Sequence, residues 1–206
     1  MKSLFLLTVF FTISSLQGQK LVKKAFIDAR TESIQIDSKY CYKVNLGTAS
    51  TSEVRVVASI EGEYSKDLLI NIENQGTTAL ISAGFQPNFT NPNDKLSAHK
   101  VISIELDITL PEYKDVSIYG TNSTVLAEGK YKSLKIKLSD GTCRLKNITE
   151  TVEVDTQKGD IFLAANNGEI MAKSIYGTVD NGTIPLGENQ YILNTVEGNI
   201  YLKKTK

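Results

Sequence analysis

One period governs the second half of the chain. From Asp115 onward a shift of eighteen residues superimposes Ser123, Gly141, Gly159 and Gly177, and a last shift of twenty-one reaches Gly198. The three extra residues fall in Gly182–Gln190, around Pro185. In this register Val116, Leu134, Val152, Ile170 and Tyr191 form one column, and Ile118, Ile136, Val154, Ala172 and Leu193 a second. After each turn come Val125, Cys143, Ile161, Val179 and Ile200, then Ala127, Leu145, Leu163, Asn181 and Leu202. A fixed period with apolar columns means stacked units, none of which can bury its own core face alone. Two short strands per unit, joined by turns at Gly141, Gly159, Gly177 and Gly198, predict an all-β chain. Its expected form is a β-solenoid, a β-helix-like stack of about five short rungs roughly 4.8 Å apart.

Outward positions support the stacking. Lys135 is expected on Glu153, Lys137 on Asp155 and Asp155 on Lys173, so opposite charges meet on successive rungs. Leu126, Phe162 and Tyr201 fall on one outward column beside the stems of Arg144 and Lys146. Either the N-terminal sheet covers that column, or it is an apolar stripe awaiting a partner.

The first half lacks the period but keeps the same alternation of Ile, Val and Thr with polar residues. Strands are predicted at Ser33–Leu46, Glu53–Glu61, Leu68–Ile72, Thr78–Ala83 and Val101–Leu110, making an antiparallel or mixed β region over 19–111. The proline- and asparagine-rich stretch 84–100 reads as a mobile loop, and Pro111 ends a strand before the repeat region, 112–206. No long amphipathic helix appears.

Residues 1–18 read as a secretory signal peptide: Lys2, then the apolar run from Leu4 to Phe11, then small polar residues, with cleavage expected after Gly18. No later run is long enough to span a bilayer as a helix, so no transmembrane segment is expected after cleavage. With 23 basic and 23 acidic side chains the net charge is zero. That excludes the electrostatic footprint of a nucleic-acid binder. Export would permit a disulfide between Cys41 and Cys143. Parity argues against it, because Ile34, Ile36, Tyr40, Tyr42, Val44 and Leu46 share one phase on the strand drawn there and put Cys41 on the opposite face with Lys43 and Asn45, whereas Cys143 lies in an inward column. One half-exposed and one buried thiol are expected.

The segments Val101–Pro111, Val152-Glu-Val-Asp-Thr-Gln-Lys-Gly-Asp-Ile-Phe-Leu163 and Tyr191-Ile-Leu-Asn-Thr-Val-Glu-Gly-Asn-Ile-Tyr-Leu202 resemble the secreted bacterial β-strand-repeat family of adhesin-like domains, a family otherwise of unknown function. The resemblance runs from about residue 30 to the end. It implies an exported, non-enzymatic, solenoid-like protein and carries no catalytic or binding residues. The chain departs from the family pattern where Ser123 replaces a turn glycine and where the last unit is longer.

No reaction chemistry emerges. A left-handed hexapeptide helix would need aliphatic residues where Asn122 and Glu128 stand, and Asp140 and Asp160 do not share the column a calcium ladder needs. One histidine and two separated thiols cannot build a Cys/His zinc site, so no cofactor or metal is expected. His99 lacks a recognisable nucleophile or orienting partner. Glu153 and Asp155 share a face as a glycosidase pair would, but each has an expected lysine neighbour. The expected function is therefore a non-catalytic, adhesin-like protein of the periplasm or cell surface that meets an envelope or surface ligand, protein or glycan, through an extended β face. The alternatives are a periplasmic scaffold or envelope-stress protein with a protein partner, and a polysaccharide-acting β-helix.

Overall fold

A computed structural model describes residues 19–61, 67–86, 88, 103–180 and 182–205. The expected signal peptide and its cleavage point, most of the 84–100 loop and His99 lie outside the described residues. Among them the chain is all-β, with no helix.

Strands β1 (Gln19–Phe26), β2 (Ser33–Asp37), β3 (Lys43–Ala49), β4 (Glu53–Glu61), β5 (Leu68–Gln75), β6 (Thr78–Phe85) and β7 (Ser103–Pro111) come from the first half. The second half supplies β8 (Asp115–Asn122), β9 (Thr124–Asp140), β10 (Cys143–Lys158), β11 (Ile161–Ala165), β12 (Glu169–Ser174), β13 (Val179–Asp180), β14 (Gln190–Thr195) and β15 (Ile200–Lys204). All fifteen join one open sheet. It runs as two ladders, because β9 and β10 are long enough to bend from one into the other. The first ladder is ordered β5-β6-β2-β8-β9-β10-β14-β12 and the second β1-β4-β7-β3-β9-β10-β11-β15-β13. Among the described residues only β1–β4, β4–β7 and β5–β6 pair antiparallel, and the other strand pairs are parallel.

Alternation explains the core. Ile34, Ile36, Val116, Ile118, Leu134, Ile136, Val152 and Val154 point inward from the first ladder and are buried. Val44, Leu46, Val125, Ala127, Cys143, Leu145, Ile161 and Leu163 do the same from the second, and both sets belong to a single hydrophobic cluster. Two buried tyrosines fill the bends where the chain returns from the second ladder to the first. Tyr131 Oη donates to the Glu128 carbonyl at 3.1 Å, and Tyr191 Oη to that of Ile148 at 2.6 Å.

The eighteen-residue register is found for three units: Val116 pairs with Leu134, and Leu134 with Val152. The next step differs from expectation. Val152 pairs with Tyr191, and Ile170 lies on the far side of Tyr191. In the second ladder Ile161 likewise pairs with Ile200, whose other neighbour is Val179. The last unit is thus inserted between the third and the fourth. Asp155 accordingly neighbours Asn194, whose Nδ2 donates to it at 3.1 Å, and not Lys173. The physical reason lies in the columns. The fourth unit carries Ala172 where the others carry Ile, Val or Leu, so the outer position exposes the poorer hydrophobe and buries Leu193 and Leu202. The residues added around Pro185 supply the return path.

The first half contributes to the same parallel stack. Ile34 pairs with Val116 and Val44 with Val125, so β2 and β3 form a unit directly before the first periodic one. Strand pairing therefore connects residues 19–111 directly to the repeat region, through β2–β8 and β3–β9. The strand drawn through Ser33–Leu46 is in fact broken at residues 38–42, and this corner interrupts the alternation, which resumes in the same phase at Val44. Tyr40 and Tyr42 are exposed while Cys41 is buried, contrary to the half-exposed thiol expected. Both cysteines are free. Val125 lies between Cys143 and Val44, two strand spacings or about 9.6 Å, beyond the reach of a bridge to the Cys41 corner.

Candidate functional site

The corners come first, since they set the register of everything outward. Gly141 is packed so that an added Cβ would overlap the Ser123 carbonyl. The same overlap relates Gly159 to Gly141, Gly198 to Gly159 and Gly177 to Gly198, the order of the strands themselves. Ser123 heads this line, buried, its one hydroxyl hydrogen donated to the Cys41 carbonyl at 2.7 Å, with the Ser38 carbonyl 3.0 Å away. The serine in the glycine column thus joins the N-terminal unit to the repeat. A hydroxyl three residues before the glycine recurs as Thr156, Ser174 and Thr195. Ser174 Oγ accepts from Gly177 N at 2.9 Å, and Thr195 Oγ1 from Gly198 N at 3.1 Å. That spacing, a hydroxyl three residues before the corner glycine, is a signal carried by the sequence itself.

With the corners aligned, the outer face of the second ladder carries a straight row: Asp107, Asn45, Leu126, Arg144, Phe162, Tyr201 and Asp180 are successive partners. The three apolar residues expected on one outward column are all in it, separated only by Arg144 between Leu126 and Phe162. The N-terminal strands do not lie over them; β3 and β7 lie beside them and lengthen the row. Leu126 and Phe162 are half-buried and Tyr201 is 36% exposed. Phe162 and Tyr201 stack with centroids 4.7 Å apart and planes 13° from parallel. The Arg144 guanidinium lies 4.0 Å from the Phe162 centroid, a cation–π contact of about 0.5–2 kcal/mol.

A groove of about 930 Å³ follows this row. Its flank is the neighbouring row of Gly47, Glu128, Lys146, Ala164 and Lys203, in which Lys146 Nζ is 3.4 Å from Glu128 Oε1. One end is polar and held rigidly. Asn45 Nδ2 donates to Asp107 at 2.6 Å and to Glu105 at 2.8 Å, while Lys43 Nζ is 2.6 Å from Glu105 Oε1. The lysine, aided by Asn45 and Tyr42, holds the Glu105 carboxyl below its ordinary value against the opposing cost of burial. Asn45, Asp107 and Asp180 were not anticipated here. The groove thus offers apolar surface between carboxylates, with Arg144 and two lysines alongside, which suits contact along a length better than attack at one bond.

The paired carboxylates lie elsewhere, on the outer face of the first ladder. Lys135 Nζ is 2.6 Å from Glu153 and Lys137 Nζ 3.6 Å from Asp155, as expected from the register. Among the described residues, no three His, Cys, Asp or Glu side chains gather as metal ligands would. No described helix is long and apolar enough to cross a membrane.

No family model matches the chain, and no curated protein does. Among solved structures it is similar to a candidate cell adhesion protein from Clostridium sporogenes, with TM-score 0.58 and 16% identity over 91% of this chain and all of that one. Candidate adhesins from Parabacteroides distasonis (TM-score 0.42, 11% identity, 91% and 98% covered) and Bacteroides fragilis (TM-score 0.36, 10% identity, 91% and 97% covered) align less well. At such identity, the likeness to the Clostridium sporogenes protein is one of fold.

Proposed function

We propose that this is an exported, non-catalytic, adhesin-like protein of the cell envelope or surface, its parallel units stacked in the manner of a β-solenoid so that one long outer face meets a ligand. The observation that carries the reading is the unbroken outward row from Leu126 through Arg144 and Phe162 to Tyr201, along a groove that no described strand covers. Aromatic and arginine side chains at the centre of an exposed patch are the residues on which binding energy concentrates. The name of the protein that shares the fold supplies the adhesive sense of the proposal, with fold alone as its warrant.

The test is binding of the purified chain to whole cells, envelope fractions and glycan arrays, beside a Phe162→Ala/Tyr201→Ala variant. Binding weakened by about tenfold or more in the variant is the expected result. No interaction with any of the three, or binding indifferent to the double change, would sink the proposal. Protease treatment of intact cells separates surface display, where the chain is cut, from the periplasm, where it is spared.

A further inference from the structure

The two ends of the stack are finished differently. At one end the edge strands β1 and β5 belong to different ladders and approach each other, Lys23 Nζ donating to the Ile70 carbonyl at 3.3 Å. A lysine such as Lys23 on an edge strand discourages further strand addition. At the other end β12 pairs, among the described residues, with β14 alone. Glu169 N donates to the Asn189 carbonyl, so Glu169, Met171 and Lys173 turn their backbone groups toward β14. Those of Ile170, Ala172 and Ser174 face outward along the free edge. Four exposed apolar side chains lie on or beside this edge: Met171 is 52% exposed, Ile175 56%, Tyr176 80% and Leu186 86%; at the opposite end Phe26 of β1 is 75% exposed.

We propose that β12 is the pairing edge of a two-fold dimer formed with a second copy of this chain. The argument is the charge pattern of Glu169-Ile-Met-Ala-Lys-Ser174. When it pairs antiparallel with itself about Met171, Glu169 of each copy stands opposite Lys173 of the other, and Met171 meets Met171. Ile170 meets Ala172 on the inward face. The outward-directed backbone groups of Ile170 and Ala172 are those an antiparallel partner in this register bonds, so hydrogen bonding and charge select the same alignment. An interface of this kind is isologous and closes at two copies. It also brings the loop at Leu186, anchored by Gly168 N donating to the Pro185 carbonyl at 2.9 Å, toward Ile175 and Tyr176 of the other copy. This inference is independent of what the long groove binds.

Sedimentation of the full chain across a wide concentration range is expected to show a monomer–dimer equilibrium. Lys173→Glu sets two pairs of like charges against each other and should weaken the dimer by about tenfold or more. The exchange Glu169→Lys/Lys173→Glu should restore it. Met171→Cys places one thiol of each copy at a close, non-hydrogen-bonded position and should give a disulfide-linked dimer on mild oxidation. Circular dichroism and thermal midpoints of the variants check that each is folded. A chain monomeric at every concentration overturns the proposal, as does a dimer indifferent to Lys173→Glu or one that the exchange fails to restore.

Discussion

Cys41 and Cys143 show how burial decides chemistry at a single side chain. Burial pushes both thiols up to about 12, with the nearby Asp37 carboxylate adding to the effect at Cys41. A thiol reacts as its thiolate, so neither should react with a thiol-specific disulfide reagent at pH 8 in the native protein. Both should react once denaturant is added, and titrating reactive thiols with and without guanidinium checks this. Reaction of either one under native conditions would show that its packing is loose. Glu105 makes a complementary case. Lys43 lowers its pKa in the folded state below the ordinary 4.5, so its contribution to stability is complete above that value and lost as pH falls through the folded value. Urea unfolding midpoints should therefore decline as the medium is acidified below about pH 4.5, and Glu105→Gln should decline less steeply. Cys41 was misplaced in the sequence reading because parity is trustworthy only within an unbroken strand. Nothing in the alternation of Ile34, Ile36, Val44 and Leu46 betrays the corner between them, since its length keeps both pairs in phase.

At the scale of the element, the corner glycines hold adjacent units at strand spacing because no Cβ intervenes. Gly159→Ala would drive its methyl group into the Gly141 carbonyl, a backbone atom that cannot swing aside. The expected cost is roughly 2–4 kcal/mol, in the range of severe single substitutions. Gly84, within β6, has open space where its Cβ would stand and no left-handed backbone. Gly84→Ala should be neutral or stabilising by up to about 1 kcal/mol, through the unfolded chain. Chemical denaturation of the two variants gives the comparison directly, and equal effects would mean that the corner is not close-packed. The strands and inward columns were legible because period-two alternation is a local signal. So were the salt bridges Lys135–Glu153 and Lys137–Asp155, which follow from a correct register between neighbours. The outward row was legible only from Leu126 to Tyr201. Its ends at Asn45 and Asp107 depend on which units are adjacent, and adjacency leaves no periodic trace; Asp180 keeps the period from Phe162, but its place beyond Tyr201 follows only from the inserted order. One clue did exist, since Ile34/Ile36 and Val44/Leu46 repeat the inward pairs of the later units at nearly their spacing.

For the whole molecule, the consequential feature is the order of the units. Each has the same kind of apolar face, so the sequence shows that they stack but not in which succession. The succession is decided by burial and by the length of the links. Asn166 to Gly168 carry the chain outward past one vacant position, and residues 182–189 bring it back to fill that position. The result inverts the usual expectation that a chain end frays. Strands β14 and β15, closest to the C-terminus, have a parallel neighbour on each side, whereas β12 and β13 have one each. Local opening follows the loss of such contacts. Amide hydrogen exchange should therefore find Tyr191–Thr195 protected about as well as Val152–Thr156, and Ile170–Ser174 exchanging well before either. Measured below the dimerisation threshold, so that β12 has no second partner, the ranking discriminates cleanly. Sequential stacking would leave 190–204 as the outermost and fastest unit, and an exchange profile of that kind would refute the inserted order and with it the alignment of the outward row.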